Sequence, residues 1–210
     1  MRKIAAIILA AGESSRFGSP KQLIQFRQKS FLQQVADAAQ EADCSPVVVV
    51  LGSDAAKVSR EVTTPIVENK NWREGIGSSI RVGLEYLIGF EPDVSAVVVL
   101  VCDQPLLDGG VISNLRVLHE ETGKEIVASS YADTLGVPAL FDRCVFPELL
   151  ALNGDNGAKN IILANQERVA KFPFPGGRLD VDTLADYENL MREARLLSTR
   201  RQEAAPRIRV

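Results

Sequence analysis

Four short aliphatic runs limit what this 210-residue chain can fold into: Ile4–Ala10, Val47–Leu51, Ala96–Val101 and Ile126–Ala128. They are rich in β-branched residues and none contains a charge. A strand that is apolar at every position must be covered on both faces, which is the condition of parallel strands joined by helical crossovers. Helix-length amphipathic stretches lie between these runs, with stripes Phe31-Leu32-Val35-Ala39, Ile80-Leu84-Leu87-Ile88 and Val111-Ile112-Leu115-Leu118. The alternation predicts an α/β fold with a mostly parallel sheet between two helical layers. Ligands of such sheets sit beyond the carboxyl ends of the strands, so the segments after Ala10, Leu51 and Val101 are expected to meet at one crevice.

After Tyr131 the pattern loosens. Gly136-Val137-Pro138 reads as a turn into a short strand ending near Phe141, Pro147–Leu152 as a brief helix, and 153–157 and 173–177 as loops. Asp182 or Thr183 caps a helix from about Leu184 to Leu197. The length suits one domain over 1–197. Residues 198–210, with four arginines around Pro206, read as a frayed, solvated tail, or else as a grip on a partner or an anionic surface.

Composition removes several classes of function. With 24 Lys+Arg against 27 Asp+Glu, the net charge of −3 lacks the basic footprint of a nucleic-acid binder. Three scattered cysteines and the lone His119 cannot assemble a zinc site, and the sparse thiols fit a reducing cytoplasm. Arg2-Lys3 before Ile4–Ala11 imitates a short signal peptide, but the strand–helix alternation that follows needs a first strand there. No apolar run reaches the 18 or so residues of a membrane span.

Two segments carry chemistry. Leu9-Ala10-Ala11-Gly12-Glu13-Ser14-Ser15-Arg16-Phe17-Gly18-Ser19-Pro20-Lys21 follows a buried strand. Its small residues let main-chain N–H groups approach an anion, and Arg16 and Lys21 add a planar fork and a mobile point charge suited to phosphate. It matches neither the Walker loop nor the dinucleotide fingerprint. A plain glycine turn with surface charges is the alternative. Asp103, in Cys102-Asp103-Gln104-Pro105, emerges from a strand end where the Mg²⁺ of a triphosphate needs an oxygen ligand; a turn former is its alternative.

Together these segments resemble the MobA-like nucleotidyltransferases, and within them the molybdenum cofactor cytidylyltransferase branch. The segment Asn69 to Ile80, the blocks 136–141, 154–159 and 180–183, and Gln104 after Asp103 extend the likeness over roughly Ile4 to Tyr187. The resemblance implies a Rossmann-like sheet of the nucleotide-diphospho-sugar transferase type and transfer of CMP from CTP to the terminal phosphate of a molybdopterin-type cofactor. It implies that Leu9, Ala10, Ala11, Gly12, Ser14, Asn69 and Ser78 contact the nucleotide, and that Arg16, Lys21 and Asp103 are the catalytic groups. It further implies Mg²⁺ on Asp103 and Asp182, and acceptor contacts from Gln104, Pro105, Gly136, Pro138, Asp155 and Lys159. Ala10-Ala11-Gly12, where related guanylyltransferases have Ala-Gly-Gly, tilts the base toward cytosine. Asp182 stands where those enzymes tend to have Asn, and Phe17 where the family commonly has Met.

Each lesser block has a structural alternative. Trp72 can plug a loop, Ser78 and Ser79 can cap a helix, Asp155 and Lys159 can be an exposed pair, and Asp182 can be a cap. His119 reads as a solvated or capping histidine and Cys102 as a small buried filler. Two rival functions share the fold: a nucleotidyltransferase for sugar or alditol phosphates, and a non-catalytic chaperone delivering a pterin to a recipient molybdoenzyme.

Overall fold

The computed structural model describes residues 2–13 and 17–192. The elements run β1 (Ile4–Ala10), β2 (Gln25–Phe26), β3 (Lys29–Ser30), α1 (Phe31–Glu41), β4 (Val47–Leu51), α2 (Ala55–Val58), β5 (Ile66–Glu68), α3 (Ile76–Phe90), β6 (Ala96–Val101), α4 (Gly109–Thr122), β7 (Ile126–Tyr131), β8 (Thr134–Asp142), α5 (Phe146–Leu150), α6 (Ala158–Ala164) and β9 (Val169–Pro173), joined by short 3-10 turns. A last helix begins at Leu184 and continues to the end of the described residues at 192.

Seven strands form one sheet in the order β5-β4-β1-β6-β8-β7-β9. β1 lies at its centre, parallel to β4 and to β6, and every one of its residues is buried. Because side chains alternate across a strand, Ile4, Ala6, Ile8 and Ala10 face one helical layer. Leu32, Val35, Ile112 and Leu115 of α1 and α4 cover that face. Ala5, Ile7 and Leu9 face the other layer, under Ile80, Leu84 and Leu87 of α3 and Phe146 and Ile162 of α5 and α6. This is a three-layer α/β fold with a mostly parallel sheet, as the continuous apolar runs require.

Helix ends follow local chemistry. Ser30 caps α1 by accepting from Gln33 N–H, and Asp108 caps α4 by accepting from Val111 N–H. Thr183 and Asp186 form a reciprocal capping box that starts the last helix, so Thr183 rather than Asp182 takes the cap. For α3, Gly75 holds the cap position, and Ser78 instead donates to the Gly75 carbonyl at 2.8 Å.

One expectation is corrected. Gly136-Val137-Pro138 does not form a turn; it lies inside the nine-residue strand β8, which is antiparallel to both β6 and β7. The turn comes earlier, at Ala132-Asp133, both in the left-handed region that a tight hairpin needs. Pairing slips between Ala128 and Ser129, whose partners are Ala139 and Gly136, so Val137 and Pro138 bulge out of the ladder. A bulge tolerates the proline's missing N–H, which is why a strand here looks like a turn in sequence.

His119 is also buried rather than solvated: one ring nitrogen meets the Lys124 carbonyl at 2.8 Å and the other meets Arg2 at 3.1 Å. Among the described residues no helix is long and apolar enough to cross a membrane. The basic tail, 198–210, lies outside the described residues, as do Ser14 and Arg16.

Candidate active site

A cavity of about 550 Å³ opens at the carboxyl ends of β1 and β6. Leu9, Ala10, Ala11, Gly12 and Glu13 form one wall, and Val101, Cys102 and Asp103 the floor. Trp72, Arg73, Gly75, Ile76, Ser79 and Asp155 complete the lining. The segment after Leu51 supports the first wall without lining it: Ser53 N–H donates to the Ala11 carbonyl at 3.0 Å. Trp72 is pressed onto Gly52, where a Cβ would lie 2.6 Å from the Trp72 Cβ.

At the cavity's edge Lys21 joins segments distant in sequence. Its ammonium donates to Asp103 Oδ2 at 2.6 Å and to Asp182 Oδ1 at 3.1 Å. Asp103 reaches it from the end of β6. Asp182 is delivered by the return of the chain after β9, whose Val181 is buried with Phe26, Phe31 and Leu190. Tyr187 ties the same return to the β2–β3 hairpin through the Gln25 carbonyl. Burial alone would lower the Lys21 pKa, but the charge of Asp103 and its hydrogen bonds to both carboxylates outweigh this, so it rises. Lys21 is therefore a fixed cation, not a proton acceptor.

A third carboxylate feels the same field. Desolvation, Asp103 and Asp182 push Asp180 up to about 6, with Lys21 pulling the other way. Cys102 is fully buried, and burial followed by the neighbouring Asp103 pushes its thiol up to about 12, which suits the filler reading.

Gln22 was not legible as a site residue. It is 1% exposed, and its Nε2 donates to the carbonyls of Ala10 at 2.9 Å and Gly12 at 3.2 Å. It thereby fixes the course of the chain from β1 into the glycine loop. The only sequence signal is its position next to Lys21.

The other expected residues divide. Asp155 reaches the cavity because loop 153–157 docks against Gly75–Gly77, with Gly77 N–H donating to the Gly154 carbonyl at 3.1 Å. Asn69 and Ser78 are buried and bonded to one another at 2.8 Å, with Asn69 also on Ser79 at 3.0 Å. They brace the turn that carries Trp72, and only Ser79 of this group lines the cavity. Gln104 is buried on the β8 side, its Nε2 donating to the carbonyls of Val137 and Gly177, each at 3.2 Å, while Oε1 has no partner among the described residues. Pro105, Gly136 and Pro138 are buried nearby, and Lys159 is exposed on α6.

A divalent cation is tested by the donor set. Among the described residues no three His, Cys, Asp or Glu side chains form a ready-made cluster. Asp103 and Asp182 nevertheless meet on one ammonium, so two hard oxygen donors share one small volume. That fits Mg²⁺ or Mn²⁺, which take one or two carboxylates and complete their shells with phosphate and water.

The family model of the MobA-like NTP transferase domain matches residues 6–169. The chain belongs to this family. The nicotine blue oxidoreductase of Paenarthrobacter nicotinovorans is 31% identical over 171 residues, 74% of this chain and 79% of its own length. A probable molybdenum cofactor guanylyltransferase of Bacillus mycoides is 30% identical over 127 residues, 60% of each chain. The chain spans only 27% of the bifunctional protein GlmU of Streptomyces coelicolor, at 35% identity over 136 residues, 60% of this chain. Among solved structures, Rv0371c of Mycobacterium tuberculosis in complex with manganese superposes with a TM-score of 0.74 at 29% identity, covering 90% of this chain and 98% of that one. The fold of this MobA-like protein is thus the Rossmann-like fold of nucleotidyltransferases.

Proposed function

We propose that this MobA-like protein is a nucleotidyltransferase that moves CMP from CTP to the terminal phosphate of a molybdopterin-type cofactor and releases pyrophosphate. The observation that carries the reading is Lys21, held between Asp103 and Asp182 beside the glycine loop. The B. mycoides relative, named for guanylyl transfer to molybdenum cofactor, supports the acceptor class. Ala10-Ala11-Gly12 supports cytosine.

The chemistry asks for alignment and charge neutralisation more than for proton transfer. A phosphate-monoester acceptor is already anionic near neutral pH, so attack on the α-phosphorus needs no side-chain base. Main-chain groups of residues 10–13 hold the nucleotide, with Gln22 fixing the loop's course. Lys21 gives up part of its contact with the carboxylates to the incoming triphosphate and offsets the repulsion between the two anions. Arg16 joins it on the phosphates. Asp103 and Asp182 would hold the divalent metal, which when bound would supply Lewis-acid stabilisation of the phosphoryl oxygens. Gln104, Gly136, Pro138, Asp155 and Lys159 shape the acceptor side.

The test is pyrophosphate release from each of the four NTPs with Mg²⁺ and a molybdopterin acceptor, paired with a thermal-shift panel. A nucleotide at 100 times its Kd adds about 2.7 kcal/mol to stability. CTP is expected to give the largest shift and the fastest release. Equal shifts for all four, or no pyrophosphate with CTP, overturn the reading. The P. nicotinovorans relative, named a nicotine blue oxidoreductase, favours a second reading, an oxidoreductase. Oxidation of a reduced nicotinamide cofactor without pyrophosphate release would select it.

A further inference from the structure

We infer that Arg73, lying on Trp72, is the platform on which the nucleobase of the triphosphate stacks; this rests on the nucleotidyl-transfer reading above. The Arg73 guanidinium carbon sits 4.3 Å from the centre of the Trp72 ring, within the range of a cation–π contact. Both residues line the cavity, and Trp72 lies beside the start of the glycine loop: a Cβ on Gly52 would be 2.6 Å from the Trp72 Cβ and 2.7 Å from the Ala11 carbonyl oxygen.

The indole underneath is held in place. Its Cβ is packed against Gly52 so tightly that no side chain fits there, and the 3-10 turn that carries it, Trp72–Glu74, is anchored by buried Asn69 and Ser78. The guanidinium above it is exposed and has no carboxylate partner among the described residues. Arg81, Arg143 and Arg168 are each bound to carboxylates or carbonyls. A guanidinium on an aromatic ring, both of them lining a nucleotide-sized cavity, suits a flat, π-faced ligand, because bases stack on arginine planes as they do on aromatic rings. Lys21, by contrast, is a compact ammonium engaged with carboxylates at the phosphate end. The division of labour is a point charge for phosphate and a stacked plane for the base.

The experiment compares CTP with ribose 5-triphosphate, the same anion without a base, on the full chain with Mg²⁺. Trp72, the only tryptophan, reports binding by its fluorescence. The ratio of the two Kd values isolates what the base contributes. In Arg73→Ala and in Arg73→Lys this ratio is expected to fall by roughly 5- to 100-fold, the usual range for losing one stacking partner. The Kd for ribose 5-triphosphate stays within about twofold. An unchanged ratio overturns the inference. That includes the case in which both ligands weaken in parallel, because Arg73 would then be a phosphate contact. Wild-type protein that binds neither ligand overturns the nucleotidyl-transfer reading itself, a failure visible before any variant is made.

Discussion

Val181 N–H donates to the Asp103 carbonyl at 3.1 Å, and this bond sets Asp180 and Asp182 into the field of the same ammonium that Asp103 meets. Three carboxylates then share essentially one Lys21, and Asp180 is the one left under-compensated, with its pKa pushed up to about 6. An unfolded aspartate titrates near ~3.9. Between these values the folded chain keeps a proton that the unfolded chain has released, so stability falls as pH rises from about 4 through 6. Asp180→Asn removes the penalty. It is expected to raise Tm over the parent at pH 7.5 and to change it far less at pH 4, where Asp180 is protonated in the folded state and only about half ionised in the unfolded one. A gain of the same size at both pH values would refute the assignment.

Lys21→Ala and Asp103→Ala each remove one half of the charge pair at the cavity's edge. Loss of one electrostatic contact to a transition state commonly costs about 3–4 kcal/mol, or 10²–10³ in rate. Both variants are expected to keep their far-UV circular dichroism and lose pyrophosphate release by that factor at saturating NTP. Parental turnover in either one removes that residue from the catalytic set.

The parts of this fold that were legible in sequence are those where a residue's environment is uniform along an element. β1, β4 and β6 are buried on both faces, so their composition announces them. The stripes of α1, α3 and α4 each face one sheet surface, and their periodicity does the same. Lys21 and Asp103 stood out because a lysine in a glycine-rich loop and a carboxylate at the carboxyl end of a strand suit a triphosphate and its metal. β8 was not, because a bulge at Val137-Pro138 carries turn residues into a strand. Gln22 was not, because a neutral amide signals nothing until its two carbonyl partners are seen. Asp180 read as part of the 180–183 block or as a cap, and its raised pKa became visible only once the chain's return placed it near Asp103.

Gln22→Leu tests whether the loop needs its brace. The substitution keeps most of the buried volume and removes donation to the Ala10 and Gly12 carbonyls. Losing the partner of a buried polar group costs about 1–3 kcal/mol. Gln22→Leu is expected to lower Tm, and because the glycine loop loses its fixed course, to raise KM for the nucleotide by more than it lowers kcat. A kcat-only effect in steady-state kinetics would place Gln22 elsewhere in the reaction.

Two glycines of one stretch of chain give opposite expectations. Gly75 has φ of +112°, and a Cβ there would lie 2.3 Å from the Gly154 carbonyl oxygen and 2.6 Å from Asp155 Oδ1. Left-handed backbone costs an L-residue roughly 1–2 kcal/mol, and the overlap adds the cost of lifting loop 153–157 off Gly75–Gly77. Asp155 would then leave the cavity wall. Gly75→Ala is therefore expected to lower Tm by roughly 5–10 °C and to impair catalysis in the surviving folded protein. Gly89 lies in the last turn of α3, exposed, with nothing within 4 Å of a new Cβ. There the helix gains from losing glycine's backbone freedom, by about 0.5–1 kcal/mol. Gly89→Ala is expected to raise Tm by roughly 1–4 °C with activity unchanged. If thermal denaturation showed the two variants moving Tm in the same direction, the docking of loop 153–157 on Gly75 would not be what fixes that wall.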